Sequence, residues 1–182
     1  MSRKYKFLNK EGLYFVSFAT VNWVYVFIRP VYCDLIVESL IHCKQKLGLE
    51  LYCWCIMSSH LHLIIRAKNN DPATLLGRFK EHTSKKLVKA IGENTRESRR
   101  DWMLEMFRKE GTKRSNVTSN QFWQHDNRPI ELWSPEVVEQ KVDYTHNNPV
   151  VSGLILEPWH WKYSSAIDYS GGKGLIELDW FR

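Results

Sequence analysis

Two strand-like runs separated by one tight turn constrain the fold of this chain more than any other feature. Residues 49–57 and 61–67 are dominated by Leu, Ile, Tyr, Trp and Cys, with Ser58-Ser59 between them. Runs of that composition around so short a break read as a β-hairpin. A hairpin alone is marginal in water, so it needs further strands or a covering helix. The flanking sequence offers both. Residues 12–20 are rich in aromatic and β-branched side chains and read as a strand; residues 23–28 read as a second strand, or as a continuation after a bend. Pro30 then opens a helix with Leu35, Ile36, Leu40 and Leu47 at helical spacing and Gly48 as its stop.

Beyond the hairpin, Asp71-Pro72 begins a long helix to about residue 91, with Gly92 expected as its C-cap. Residues 96–114 are highly charged around Trp102, Met103, Met106 and Phe107, which predicts a short helix followed by a loop. Residues 121–124 read as a short strand. Ser134-Pro135 pairs an N-cap with a proline at the first helical position, and Pro149 is expected to end that helix at about residue 148. A tail carrying Trp159, Trp161, Tyr163 and Tyr169 is expected to pack back on the domain. This order predicts an α+β fold with a central antiparallel sheet and helices packed on one face.

A length of 182 residues suits one domain, here 1–182, and a 43% hydrophobic fraction suffices for a core. Within it we expect a core over about 12–169, a basic N-terminal arm over 1–10, and a charged helix-loop insertion over about 93–118. The net charge of +6 favours an anionic partner, of which nucleic acid is the commonest. No secretory leader is recognisable and no apolar stretch approaches membrane-spanning length. With four cysteines in such a chain, reduced thiols in a cytoplasm are the expectation, and no membrane partner.

Residues that bear chemistry fall in two places. His60-Leu61-His62 opens a predicted strand, so both imidazoles project to one face and Leu61 to the other. Adjacent imidazoles can chelate one divalent ion and leave its other positions open. Tyr144 and Asn148 are four apart on a predicted helix and share a face. An amide oxygen suits a hard cation such as Mg²⁺ or Mn²⁺, and a phenol beside that ion is a candidate nucleophile for a phosphodiester. A phosphotyrosine link keeps the broken bond available for transfer to another strand end. The alternative is structural: a half-buried aromatic, and an amide at a helix end before proline. His146 lies on another face of the same helix as a packing residue, a backbone hydrogen-bonding group or an assistant in proton transfer.

Arg78, His82, Lys85, Lys86 and Lys89 fall within an arc of roughly 100° on the helix after Asp71 and suit DNA phosphates, the alternative being a solvated helix face. Arg3 and Lys4 belong to an arm that would lie against a DNA stem, or to a disordered terminus. Cys53-Trp54-Cys55 across the turn from the histidines raises a rival, a two-Cys, two-His zinc module, although one intervening residue is short for a structural zinc site.

Five segments together resemble the REP-associated tyrosine transposases and their insertion-sequence single-tyrosine relatives, within the HUH (His-hydrophobe-His) nucleases. They are Met57-Ser-Ser-His60-Leu-His62-Leu63, Phe79-Lys-Glu-His-Thr83-Ser84-Lys85-Lys86, Phe122-Trp-Gln124, Tyr144-Thr-His146-Asn-Asn148-Pro149-Val150 with Gly153, and Trp161-Lys-Tyr163-Ser164-Ser165. Members often have Pro-Asn where this chain has Ser58-Ser59. The resemblance implies a ferredoxin-like fold and metal-dependent cleavage of single-stranded DNA beside a hairpin. It implies a 5′-phosphotyrosine intermediate, with Tyr144 as nucleophile and His60, His62 and Asn148 as metal ligands. It leaves monomer and homodimer both open. A catalytically silent hairpin-binding protein of the same fold is the other reading.

Overall fold

The computed structural model describes residues 7–113 and 120–181. Among the described residues there are four strands: β1 (Tyr14–Ala19), β2 (Leu49–Ile56), β3 (His60–Ala67) and β4 (Ile130–Glu131). They form one sheet in the order β2-β3-β1-β4, and every pairing is antiparallel. The connecting helices are α1 (Pro30–Lys46), α2 (Pro72–Glu93), α3 (Arg100–Thr112), α4 (Pro135–Val151) and a one-turn α5 (Ala166–Tyr169). The β1-α1-β2-β3-α2-β4 path with that strand order is the ferredoxin-like arrangement, with α3 added before β4.

The expected hairpin is present, closed where the Met57 N–H donates to the His60 carbonyl. Residues 23–28 do not form a strand. They lie in two 3₁₀ turns, Val21–Trp23 and Val26–Ile28, with Asn22 (φ 52°) and Trp23 (φ 55°) both left-handed. Aromatic and β-branched composition predicts a strand there, but β1 already fills the partner edge of β3. Residues 121–124 make a single bridge, Thr20 to Trp123.

Helices occupy both faces of the sheet. On one face Tyr14, Val16 and Phe18 of β1 and Leu61, Leu63 and Ile65 of β3 share a core with Ile36 and Leu40 of α1 and Leu76, Phe79 and Leu87 of α2. That covered face matches the expectation. On the other face α4 lies over Leu13, Phe15, Cys53 and Ile64, with Val142 buried among them. A bulge selects which residues of β2 point there: Leu51 pairs with Ile65 but Cys53 with Ile64, so Tyr52 is extra. The shift moves Cys53 to the α4 face and gives Trp54 and Ile56 to the larger core.

Helix ends follow local chemistry. The Asp71 carboxylate accepts from the Thr74 N–H, and the Ser134 hydroxyl from the Val137 N–H, caps worth about 1 kcal/mol each. α2 passes through Gly92 and ends at Asn94. α4 passes through Pro149 and reaches Val151. A proline so near the C-terminus costs one backbone bond, and the stop comes instead at Gly153, whose φ of 69° suits a left-handed C-terminal turn.

The edge of β2 is covered by the tail. Ile56 and Trp54 exchange backbone bonds with Tyr163 and Ser165, and Asp179 donates to the Leu51 carbonyl while accepting from its N–H. Lys44 pairs with that same Asp179 carboxylate. Covering an edge in this way removes unpaired donors and acceptors. Among the described residues, no helix is long and apolar enough to cross a membrane.

Candidate active site

The α4 face of β3 carries both histidines. Cross-strand neighbours share a face, and His62 lies opposite Ser17 and Cys55, while His60 lies opposite Ala19. Leu61 is buried on the far side, as strand alternation requires. The two imidazole rings are 4.7 Å apart, centroid to centroid. α4 lies across them and sets the Tyr144 ring edge-on to His62 at 5.3 Å. Phe15 completes the cluster, stacked on His62 at 5.6 Å and edge-on to Tyr144 at 5.8 Å. Phe15 and His62 are buried, whereas Tyr144 is 49% exposed. The phenol is thus fixed by its ring and remains open to solvent.

Asn148 follows one turn after Tyr144. Its amide N–H₂ donates to the Tyr144 carbonyl at 2.6 Å. Asn148 lies near enough to favour the charged form of His62 slightly. Yet neither His62 ring nitrogen makes a hydrogen bond of normal geometry, and both are buried. A buried imidazole with two idle nitrogens is a site in want of a partner. Burial pushes His62 down to about 3, with help from the charges of His60 and Lys141, and pushes His60 down to about 4. Both rings are therefore neutral at pH 7, the form that ligates a metal.

Sequence reasoning assigned no role to several neighbours. Lys141 lies one turn before Tyr144, its ammonium 5.2 Å from the Tyr144 ring centroid and 5.1 Å from that of Phe15. Its spacing of three from Tyr144 is the signal that marks it. Trp23, half exposed and left-handed, sets its ring against His60 at 5.5 Å. Nothing in the sequence predicted that turn. Ser59 approaches His60 Nδ1 at 3.3 Å through its hydroxyl.

Several motif residues brace this site without entering it. The Trp123 indole donates to the Thr83 hydroxyl, and Trp123 stacks on Phe27. The Gln124 amide donates to the Thr20 carbonyl, and the Thr20 hydroxyl donates to Ser59. The turn before the histidines is thereby tied to β1. The Trp161 indole donates to the Ile56 carbonyl, and the Ser165 hydroxyl accepts from the Trp54 N–H.

His146 points away from the phenol, into the space between α4 and β2. Its Nε2 meets Cys53 Sγ at 3.2 Å and Ser165 Oγ at 2.8 Å, and its ring packs on Tyr169. Burial holds it down at about 4. Of the roles considered, this contact set fits a packing residue that also hydrogen-bonds. The zinc alternative fares poorly. Cys53 is taken up by this cluster and held at about 12 by burial, while Cys55 is pushed up further and approaches Met57. Among the described residues, no three His, Cys, Asp or Glu side chains converge to hold a metal. Any ion in this pocket would need the two imidazoles and the amide.

The α2 residues lie apart from these groups. α2 buries Leu76, Phe79 and Leu87 against the opposite side of the sheet, so Arg78, His82, Lys85, Lys86 and Lys89 face away from Tyr144. Lys85 pairs with Glu81, Lys86 with Glu38 and Lys89 with Glu93. Arg3 and Lys4 fall outside the described residues.

Residues 26–107 match the family described as "Transposase IS200 like". That segment contains His60 and His62 and ends before Tyr144. No curated protein sequence matches the chain. Among solved structures, the REP-associated tyrosine transposase bound to a REP hairpin is similar over 100% of this chain and 92% of its own, at 18% identity and a TM-score of 0.66. A protein from Deinococcus radiodurans R1 described as a transposase matches over 85% of this chain and 96% of its own, at 16% identity and a TM-score of 0.42. Over residues 26–107 the chain is similar to the IS200-like transposases, and its α+β fold is similar to that of the hairpin-bound protein.

Proposed function

We propose that this chain is a metal-dependent, single-stranded DNA endonuclease and strand transferase that acts beside DNA hairpins through Tyr144. The observation that carries the reading is the Tyr144 ring lying 5.3 Å from the His62 ring within one chain. The hairpin bound by the structurally similar REP-associated transposase supports the substrate class.

In this reading the Tyr144 oxygen attacks phosphorus, the bond from phosphorus to the 3′-oxygen breaks, and the 5′-phosphate remains on Tyr144. The phenol proton passes to solvent, and the leaving oxygen gains a proton to become a free 3′-OH. A second 3′-OH can reverse the step and release the phenol. Phe15 and the helix hold the ring, so attack needs no large movement. His60, His62 and the Asn148 oxygen would hold the divalent ion, Mg²⁺ or Mn²⁺. The idle, buried nitrogens of His62 fit that use. When bound, such an ion polarises the phosphodiester and offsets developing charge. Trp23, half exposed beside His60, would offer a face for an unpaired base. Exposed charges on α2 would contact a DNA stem, exchanging weak carboxylate partners for phosphate.

The test is incubation with single-stranded hairpin DNA and Mn²⁺, followed by denaturing gels. The unaltered chain is expected to form a covalent adduct that Tyr144→Phe abolishes and that His62→Ala and EDTA each suppress. Hairpin binding without any adduct would instead establish the catalytically silent reading.

A further inference from the structure

Resting on that reading, we propose that Lys141 is a further catalytic residue: its ammonium holds a non-bridging oxygen of the scissile phosphate beside Tyr144.

Lys141 precedes Tyr144 by one helical turn and Asn148 by two, so all three share the face of α4 that meets the sheet. Its ammonium rests against two rings, those of Phe15 and Tyr144, at 5.1 and 5.2 Å. Those rings in turn flank His62. Contact with Phe15 comes from a different element, so the lysine is drawn toward the sheet and not merely stacked along its own helix.

Its charge is also uncommitted. Among the described residues, Lys44, Lys85, Lys86, Lys89, Lys109 and Lys113 all lie in ion pairs. Lys141 lies in none. Two other lysines lie over a ring, and both donate hydrogen bonds: Lys80 to the Gln124 and His125 carbonyls and to Asn127, and Lys162 to the Tyr163 hydroxyl. A cation–π contact is a weak hold that an anion readily supplants. Lys141 thus brings an unneutralised positive charge to a pocket where the attacking phenol needs a phosphodiester. A charge-assisted bond to a phosphate oxygen would orient phosphorus for attack and strengthen as negative charge builds in the transition state.

The experiment compares unaltered protein, Lys141→Gln and Lys141→Arg in single-turnover adduct formation at saturating hairpin DNA and saturating Mn²⁺. Each protein is given a substrate with either an ordinary scissile phosphate or an uncharged methylphosphonate. Thermal unfolding is followed in parallel, so that loss of fold is separable from loss of chemistry. We expect Lys141→Gln to slow the ordinary substrate about tenfold to a hundredfold, with Lys141→Arg restoring most of the rate. Preference for the ordinary over the uncharged linkage should shrink by a similar factor in Lys141→Gln alone. A residue that only packs would leave that preference unchanged. An unaltered rate in Lys141→Gln, or a preference equal to that of the unaltered protein, overturns the proposal while leaving Tyr144 as nucleophile. No Tyr144 adduct from unaltered protein overturns the underlying reading, and this inference with it.

Discussion

Acid should unfold this protein well before its carboxylates are protonated, because two buried histidines, His62 and His146, and the partly buried His60 are held neutral. His60 and His146 are held down at about 4 and His62 at about 3. In the unfolded chain each returns to about 6.5. The unfolded state therefore binds more protons below that value, so stability rises with pH and is fully present above it. As pH falls from 6.5 toward 4, each residue withdraws stability. Linkage puts the loss at about 2 kcal/mol per histidine by pH 5, relative to pH 8. Together the three would remove about 6 kcal/mol, a large part of the roughly 5–15 kcal/mol available to a domain. Urea unfolding at pH 8, 6 and 5 in EDTA tests this, with EDTA removing stabilisation by metal. The midpoint should drop steeply below pH 6.5 at an unchanged denaturant slope. Stability that is flat from pH 8 to 5 would refute the claim that these rings are held neutral.

Other outcomes follow from the same contacts. Phe15→Ala should destabilise by about 3–4 kcal/mol, measured by urea melts, because it empties the space between His62 and Tyr144. Ser165→Ala removes the hydroxyl shared by His146 and Trp54 and should cost about 1–3 kcal/mol in the same assay. Neutralising Arg78, Lys85 and Lys89 together should lower the salt dependence of hairpin binding by up to about three phosphate contacts, read from log Kd against log salt. The adduct rate at saturating DNA should stay within about twofold, because α2 lies across the sheet from Tyr144. An unchanged salt slope would remove α2 from the DNA surface.

Legibility of the fold tracked how local its causes are. The hairpin, the prolines that open α1, α2 and α4, and the caps Asp71 and Ser134 depend on neighbouring residues, and the sequence displays them. The facing of His60, His62 and Leu61 follows from strand alternation alone. The 3₁₀ turns over 21–28 and the bulge at Tyr52 depend on which edge of β3 is free and on what packs above β2. Composition cannot supply either. The α4 end was misplaced because Pro149 acts against a bond one turn back, and Gly153 supplies the stop. One covered face was expected because α1 and α2 carry apolar residues at helical spacing. α4 conceals its contact among polar residues, since it buries Thr145 and His146 as well as Val142. The meeting of α4 with β3 came from the motifs' joint resemblance. Lys141 and Trp23 escaped notice because their meaning lies in rings contributed by other elements.

The central claim is that Tyr144 performs the covalent step at the His60–His62 pair. The most direct measurement is to form the adduct with hairpin DNA and Mn²⁺, digest protein and DNA, and locate the nucleotide-bearing residue by mass spectrometry. A single modified peptide with the 5′-phosphate on Tyr144 is the predicted result. A nucleotide on any other residue, or cleaved DNA with no modified peptide, would contradict it.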